Sequence, residues 1–319
     1  MKLMNLPHIA IVPYLTCNFS CLYCIAESPL KIPFYNPKTS LEKWDAQFED
    51  TVTFLNSIDT KAIEVSGGEP FIWKRWDELI KRTNHNWYFL TNASGVPEWL
   101  KNSIVKERTK LFLAAFHRAG MRLERFIDNV CKIQDLGYPV FVKVVYTKNR
   151  EQFKEMEKII KVGIPASFVP LVGVKYSREE IEEILPYCQS ALYSYRFFVP
   201  YDGVDRRANP CVAGTNESFE LDGSVISRCS HYSGMSLNKI PKTLRNISTR
   251  YLGDIKKPNF YLKPKMCYRK TCTCEWMSFT KIVDGFENEK WQHFIETGEW
   301  VPATIDDIED FVAMAKEAI

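Results

Sequence analysis

The sequence predicts an α/β fold: a partial (β/α)6 barrel over residues 1–200, a small cysteine-rich α+β domain over 201–285 and a helical tail over 286–319. Three observations carry this. Short apolar, β-rich runs alternate with amphipathic helical patterns up to about residue 200. The rhythm then changes to a strand–turn–strand pattern and Pro- and Lys-rich irregular sequence. The cysteines gather in two places, one in each part.

The strand candidates are HIAIVPY (8–14), AIEVSG (62–67), WYFLTN (87–92), LFLAAFH (111–117), VFVKVVYT (140–147) and ASFVPLVG (166–173). Helical spacing fills the gaps at 40–58, 74–82, 97–106, 121–137, 149–163 and 177–192, several with Ser, Asn or Pro at the start and Gly at the stop. Six strands alternating with six helices imply a parallel sheet with right-handed crossovers. Eight units would close a barrel. Six give an open sheet or a partial barrel, and its site is expected at the carboxyl ends of the strands. Beyond residue 200, ELDGSVISRC reads as a hairpin with Asp222-Gly223 at the turn, and TIDDIEDFVAMAKEAI as a capped amphipathic helix.

The chain has 319 residues, 45% hydrophobic and 25% charged, with a formal net charge of +3. Lys and Arg are spread evenly, so no basic stripe points to nucleic acid. No apolar run approaches the roughly 18 residues that a membrane helix needs, and IAIVPYL (9–15) lacks a signal-peptide cleavage site. A cytoplasmic location is the expectation. Ten cysteines are many for such a chain yet far below the density of a disulfide scaffold, so most are expected to be metal ligands. Cys17, Cys21 and Cys24 stand in front; Cys211, Cys229, Cys267, Cys272 and Cys274 lie in the last third; Cys131 and Cys188 stand alone within helical patterns, as small buried hydrophobes.

Cys17-x3-Cys21-x2-Cys24 follows the first strand directly. Three thiolates on a four-iron cube leave one iron open to a ligand. A structural zinc would take a fourth protein ligand. The second strand ends in Ser66-Gly67-Gly68-Glu69-Pro70, where two glycines let backbone approach a ligand and a carboxylate can receive an ammonium group. Tyr23 offers an aromatic face for a nucleobase.

These two motifs, on a sixfold βα chain over about residues 8–200, resemble the radical S-adenosylmethionine (radical SAM) superfamily. The resemblance implies that Cys17, Cys21 and Cys24 ligate a [4Fe–4S] cluster whose fourth iron chelates SAM. It further implies that Gly67, Gly68 and Glu69, closed by Pro70, hold the SAM amine, that Tyr23 packs on adenine, and that Asn92 contacts the ribose. The implied reaction is one-electron cleavage of SAM to methionine and a 5′-deoxyadenosyl radical, fed by a flavodoxin- or ferredoxin-type reductant.

The later cysteines look like a SPASM/twitch extension with one auxiliary [4Fe–4S] cluster, held by Cys211, Cys229, Cys272 and Cys274. Cys267 is then either an alternative ligand or a free thiol able to donate hydrogen. The spacing departs from the pattern by an extra residue before Cys229 and a C-x4-C-x-C tail, and a zinc site is the plain alternative for these five thiols. His117, ending the fourth strand, and Lys143, an ionisable group in an apolar strand, are further candidates for contact with substrate or SAM. His231 reads as a loop histidine, and the aromatics at 187–198 as core.

Three outcomes follow the radical: dehydrogenation, epimerisation, or modification of a peptide by epimerisation or crosslinking. Only about seven residues precede the first strand, leaving no room there for a leader-binding domain and weakening the peptide reading. The expected substrate is a small polar molecule such as a sugar or aminocyclitol. A non-catalytic iron–sulfur electron carrier is the alternative from another class; it gives no reason for the GGEP motif.

Overall fold

The computed structural model describes residues 8–24, 40–58, 60, 62–171, 174–198, 210–211, 219–227, 251–263, 265–266 and 288–317. Six strands lie side by side in chain order, all parallel: β1 (His8–Val12), β2 (Ala62–Val65), β3 (Asn86–Thr91), β4 (Thr109–Phe116), β5 (Val140–Tyr146) and β6 (Ala166–Pro170). Parallel neighbours cannot be joined by a hairpin, so each connection crosses back through helix. The crossovers hold α1 (Leu41–Ala46), α2 (Phe48–Asn56), α3 (Trp76–Arg82), α4 (Ser103–Arg108), α5 (Leu123–Asp135), α6 (Glu151–Lys161), α7 (Arg178–Ile184) and α8 (Ala191–Phe198). The expected α/β sheet of the barrel half is present.

Where helices differ from expectation, the cause is local. The single helix expected over 40–58 is divided at Gln47, whose amide bonds back to Asp45 and Trp44 in a tight turn. The one expected over 97–106 becomes a 3₁₀ turn and α4, because Asn102 turns extended and caps the amide of Ile104. Ser177 and Glu180 form a capping box that starts α7.

Side chains alternate across the sheet, and the two faces have different partners. Phe112, Ala114 and Phe116 of β4, with Val140, Val142, Val144 and Tyr146 of β5, pack under the crossover helices in the main core. On the inner face, Leu111, Leu113, Phe141 and Val169 form a second cluster with Tyr193, Trp291 and Phe294. The last two belong to α9 (Asn288–Thr297), so part of the expected tail lies against the barrel's inner face. Trp300 joins this cluster and donates from Nε1 to the Gln189 carbonyl at 3.0 Å. α10 (Ile305–Glu317) is capped as expected, Thr304 and Asp307 exchanging side-chain to backbone hydrogen bonds at 2.8 and 3.0 Å.

The sheet continues past β1. β7 (Pro210–Cys211) stands apart and pairs with β12 (Lys265–Met266). β8 (Phe219–Asp222) pairs parallel with β1, Ile9 opposite Phe219, and β9 (Val225–Ser227), β10 (Tyr251–Asp254) and β11 (Lys257–Pro258) follow antiparallel, making ten strands in all. The expected hairpin therefore forms, but Asp222 is still paired with Val225, and the turn is Gly223-Ser224 rather than Asp222-Gly223. Among the described residues no helix is long and apolar enough to cross a membrane.

Candidate functional site

The loop bearing Cys17, Cys21 and Cys24 leaves the carboxyl end of β1 and is stitched to the turn that leaves β2. Ser66 donates its amide to Ile11 O at 2.9 Å, Gly68 to Tyr14 O at 2.9 Å and Glu69 to Thr16 O at 3.0 Å. In return the buried Tyr14 hydroxyl donates to the carbonyls of Glu69 and Pro70, at 3.1 and 3.0 Å. The two glycines answer to this contact. A Cβ on Gly67, whose φ is +112°, would lie 2.6 Å from Tyr14 O, and one on Gly68 would overlap the Thr16 carbonyl. The approach that glycine permits here is first of all that of the cysteine loop's own backbone.

Glu69 is 1% exposed, and both carboxylate oxygens are engaged. Oε1 accepts from the Thr91 hydroxyl at 2.6 Å and the Phe71 amide at 2.9 Å; Oε2 accepts from the Asn92 amide at 2.6 Å. Burial pushes this carboxyl up to about 7 in spite of the three donors. The carboxylate thus ties the end of β2 to the end of β3. Asn92 begins a tight turn in which Ala93 has φ +49°, held by Thr91 Oγ1 on the Ala93 amide (3.0 Å) and Asn129 Nδ2 on its carbonyl (2.9 Å). A non-glycine residue in this region costs of order 1–2 kcal/mol and persists only where its surroundings enforce it.

Around the thiols, the Phe19 amide points at Cys17 Sγ (3.4 Å), Asn92 Nδ2 lies 3.7 Å from the same sulfur, and the Cys24 amide closes a turn onto Cys21 O at 3.0 Å. Cys21 is buried and Cys17 and Cys24 are half-buried, and none of the three is in a disulfide. Among the described residues no three His, Cys, Asp or Glu side chains converge on a single ion. A cubane asks something different of its ligands, since each thiolate binds its own iron. Three soft donors on one loop, one of them already accepting two N–H groups, fit that demand.

The Tyr23 hydroxyl and His117 Nδ1 share a hydrogen bond at 3.1 Å, with the rings 5.7 Å apart and tilted by 32°. Phe19 meets the same imidazole edge-on at 6.5 Å. Burial, helped by the charge of Lys143, pulls His117 down to about 4, so at neutral pH the imidazole is uncharged. Lys143 stands on β5 opposite Ala115 and Ser167, its Nζ 5.4 Å from the Tyr193 ring centre. Strand ends and loop therefore bring Cys17, Cys21, Cys24, Tyr23, Gly67, Gly68, Glu69, Pro70, Asn92 and His117 to one end of the sheet.

Cys229, Cys267, Cys272 and Cys274 lie outside the described residues, as does His231. Cys211 is described only as part of β7, where it pairs with Lys265, two positions before Cys267 in the sequence. Cys188 is buried, as expected of a small hydrophobe, and Cys131 is half-buried on α5. Sequence reasoning missed Asn18, Phe19, Thr91 and Ser94. Asn18 and Phe19 lie between two recognised cysteines and Thr91 precedes Asn92, so proximity in sequence was the available signal.

No protein-family model matches the chain. Curated relatives do. A GTP 3′,8-cyclase of Aliarcobacter butzleri (strain RM4018) is 29% identical over 185 residues, covering 57% of this chain and 51% of the relative. Another, of Helicobacter pylori (strain HPAG1), is 24% identical over 213 residues, covering 65% and 59%. The chain thus spans little more than half the length of these relatives. Among solved structures, native anSMEcpe with bound AdoMet superposes with a TM-score of 0.53 over 98% of this chain and 96% of that one; at 11% identity it speaks for the fold. The cysteine loop locked to a GGEP turn thus lies at the mouth of a parallel α/β sheet whose fold resembles that of the AdoMet-bound structure, in a chain similar over part of its length to GTP 3′,8-cyclases.

Proposed function

We propose that this chain cleaves SAM reductively and abstracts a hydrogen atom from a small polar substrate. The single observation that carries this is the stitching of the Cys17–Cys24 loop to the Gly67–Pro70 turn, which makes one platform of the two motifs. When bound there, a [4Fe–4S] cluster supplies the electron that splits SAM into methionine and a 5′-deoxyadenosyl radical. Cys17, Cys21 and Cys24 would hold it. With the Glu69 carboxylate engaged by Thr91, Phe71 and Asn92, the carbonyls of Gly67 and Gly68 would be the acceptors for the SAM amine. Glu69 supports the turn that presents them. Tyr23, steadied by His117, would lie against adenine.

The finer reading is a sugar- or aminocyclitol-like substrate, with epimerisation or dehydrogenation as the outcome and one auxiliary [4Fe–4S] cluster in the C-terminal part. Pairing of Cys211 with Lys265 supports bringing the two cysteine-bearing stretches together, and favours Cys267 as a ligand beside Cys211. A second reading, a purine nucleotide substrate, draws support from the GTP 3′,8-cyclase relatives. Peptide modification and simple electron transfer are the remaining alternatives.

Anaerobic reconstitution, reduction and addition of SAM should release 5′-deoxyadenosine; a reduced, iron-loaded protein that never does so rules out the radical enzyme and leaves the electron carrier. In deuterated water, carbon-bound deuterium in a redox-neutral product supports a thiol donor. A two-electron-oxidised product without deuterium supports dehydrogenation.

A further inference from the structure

We infer that Asn92 is a positioning residue that tunes the cluster held by the cysteine loop, through a hydrogen bond from its side-chain amide to the Cys17 sulfur. This rests on the reading of Cys17 as a cluster ligand and goes beyond a ribose contact. The orientation of the amide is fixed by its neighbours. Asn92 Oδ1 accepts from the Ser94 amide at 2.9 Å, so Nδ2 must face the other way. Its two hydrogens then have two acceptors, Asn18 Oδ1 at 2.9 Å and Cys17 Sγ at 3.7 Å. Asn18 is itself anchored, donating Nδ2 to Ser94 Oγ at 2.7 Å.

The backbone of Asn92 is no freer than its side chain. Its amide is bound to Glu69 Oε2 at 2.6 Å, the next residue is held in the left-handed region, and Asn92 is 5% exposed. A donor held this firmly withdraws charge from a thiolate ligand, and hydrogen bonds to cluster sulfurs favour the reduced, more negative cluster. The Phe19 amide at 3.4 Å acts on the same sulfur from within the loop. Asn92 differs in coming from β3, through the residue pair that Glu69 ties to the GGEP turn. The turn and the cluster's electron affinity are thereby mechanically joined.

The wild-type protein, reconstituted after labelling asparagine side-chain amides with ¹⁵N and reduced without SAM, should show a ¹⁵N hyperfine coupling by pulsed EPR. The coupling should belong to the cluster whose signal shifts when SAM is added. Its absence there overturns the inference. Asn92→Ala, with iron content matching wild type, should lower the reduced-to-oxidised ratio of that cluster about tenfold at a fixed poised potential, equivalent to about 59 mV for one electron. An unchanged ratio also overturns the inference, because a merely structural asparagine would leave the potential where it was. If Asn92→Ala does not assemble, the labelling result decides. A wild-type protein with no SAM-sensitive cluster signal at all defeats the reading of the loop itself, which is a separate outcome.

Discussion

Glu69 and His117 sit at one end of the sheet with shifts that pull stability in opposite directions. Glu69 titrates near 7 when folded and near 4.5 when unfolded. Between those values the unfolded chain has already released its proton, so this residue lowers stability as pH rises, by roughly 3 kcal/mol over the whole window at 1.36 kcal/mol per unit. His117 titrates near 4 when folded and near 6.5 when unfolded. There the unfolded chain binds the extra proton, so stability is lost as pH falls through that range. From about 4.5 to 6.5 the two slopes oppose each other. Urea unfolding across this range should therefore show a nearly flat stability for wild type, a rise with pH in Glu69→Gln and a fall with pH in His117→Gln. Identical profiles in all three would mean that neither group is held as described. Glu69 also shows what sequence reading could reach at this scale. GGEP marked the right turn, but whether its carboxylate faces a ligand or the protein depended on Thr91 and Asn92, twenty-odd positions away and brought near by strand order.

Among the elements, the strands were the most legible part. All six parallel strands fall within a few residues of their apolar runs, because strands of a parallel sheet covered on both faces carry near-continuous apolar sequence. Helix continuity was less so: Gln47 through its backbone amide and Asn102 through its side-chain cap break helices in ways that amphipathic spacing does not encode. The place of α9 was hidden altogether, since an apolar stripe says that a face is covered and not by what. Here the stripe fills the inner face. Trp291 is 5% exposed, 4.9 Å from the Phe141 ring and 4.6 Å from Trp300. Trp291→Ala should accordingly cost about 3–5 kcal/mol, the range for emptying a buried aromatic site. A loosely attached tail would instead give a change within about 0.5 kcal/mol. The denaturation midpoint, read with an unchanged slope, separates the two.

Taken as a whole molecule, the chain joins its two parts by a sheet edge and by a helix returning to the barrel. β8 completes the free edge of β1 over Ile9, Ala10, Ile11 and Val12, all four of which are buried apolar side chains. α9 covers Leu111, Leu113 and Phe141 at the far side of the sheet. The change of rhythm after residue 200 was visible in the sequence, but a boundary in composition is not a boundary in structure when main-chain hydrogen bonds cross it. A chain ending at residue 200 would bare a flat, apolar, unpaired strand and an aromatic inner face together, the combination that templates edge-to-edge association. Such a fragment should elute as aggregate and unfold without a cooperative transition, whereas the full chain should unfold cooperatively. Sedimentation and urea titration of the fragment provide the check, and a monomer with a sigmoidal transition would show that the (β/α)6 half stands on its own. The thiols feel the same junction: because β8 runs beside β1, which leads directly into Cys17, strain introduced in the C-terminal hairpin should reach the cysteine loop through a single strand.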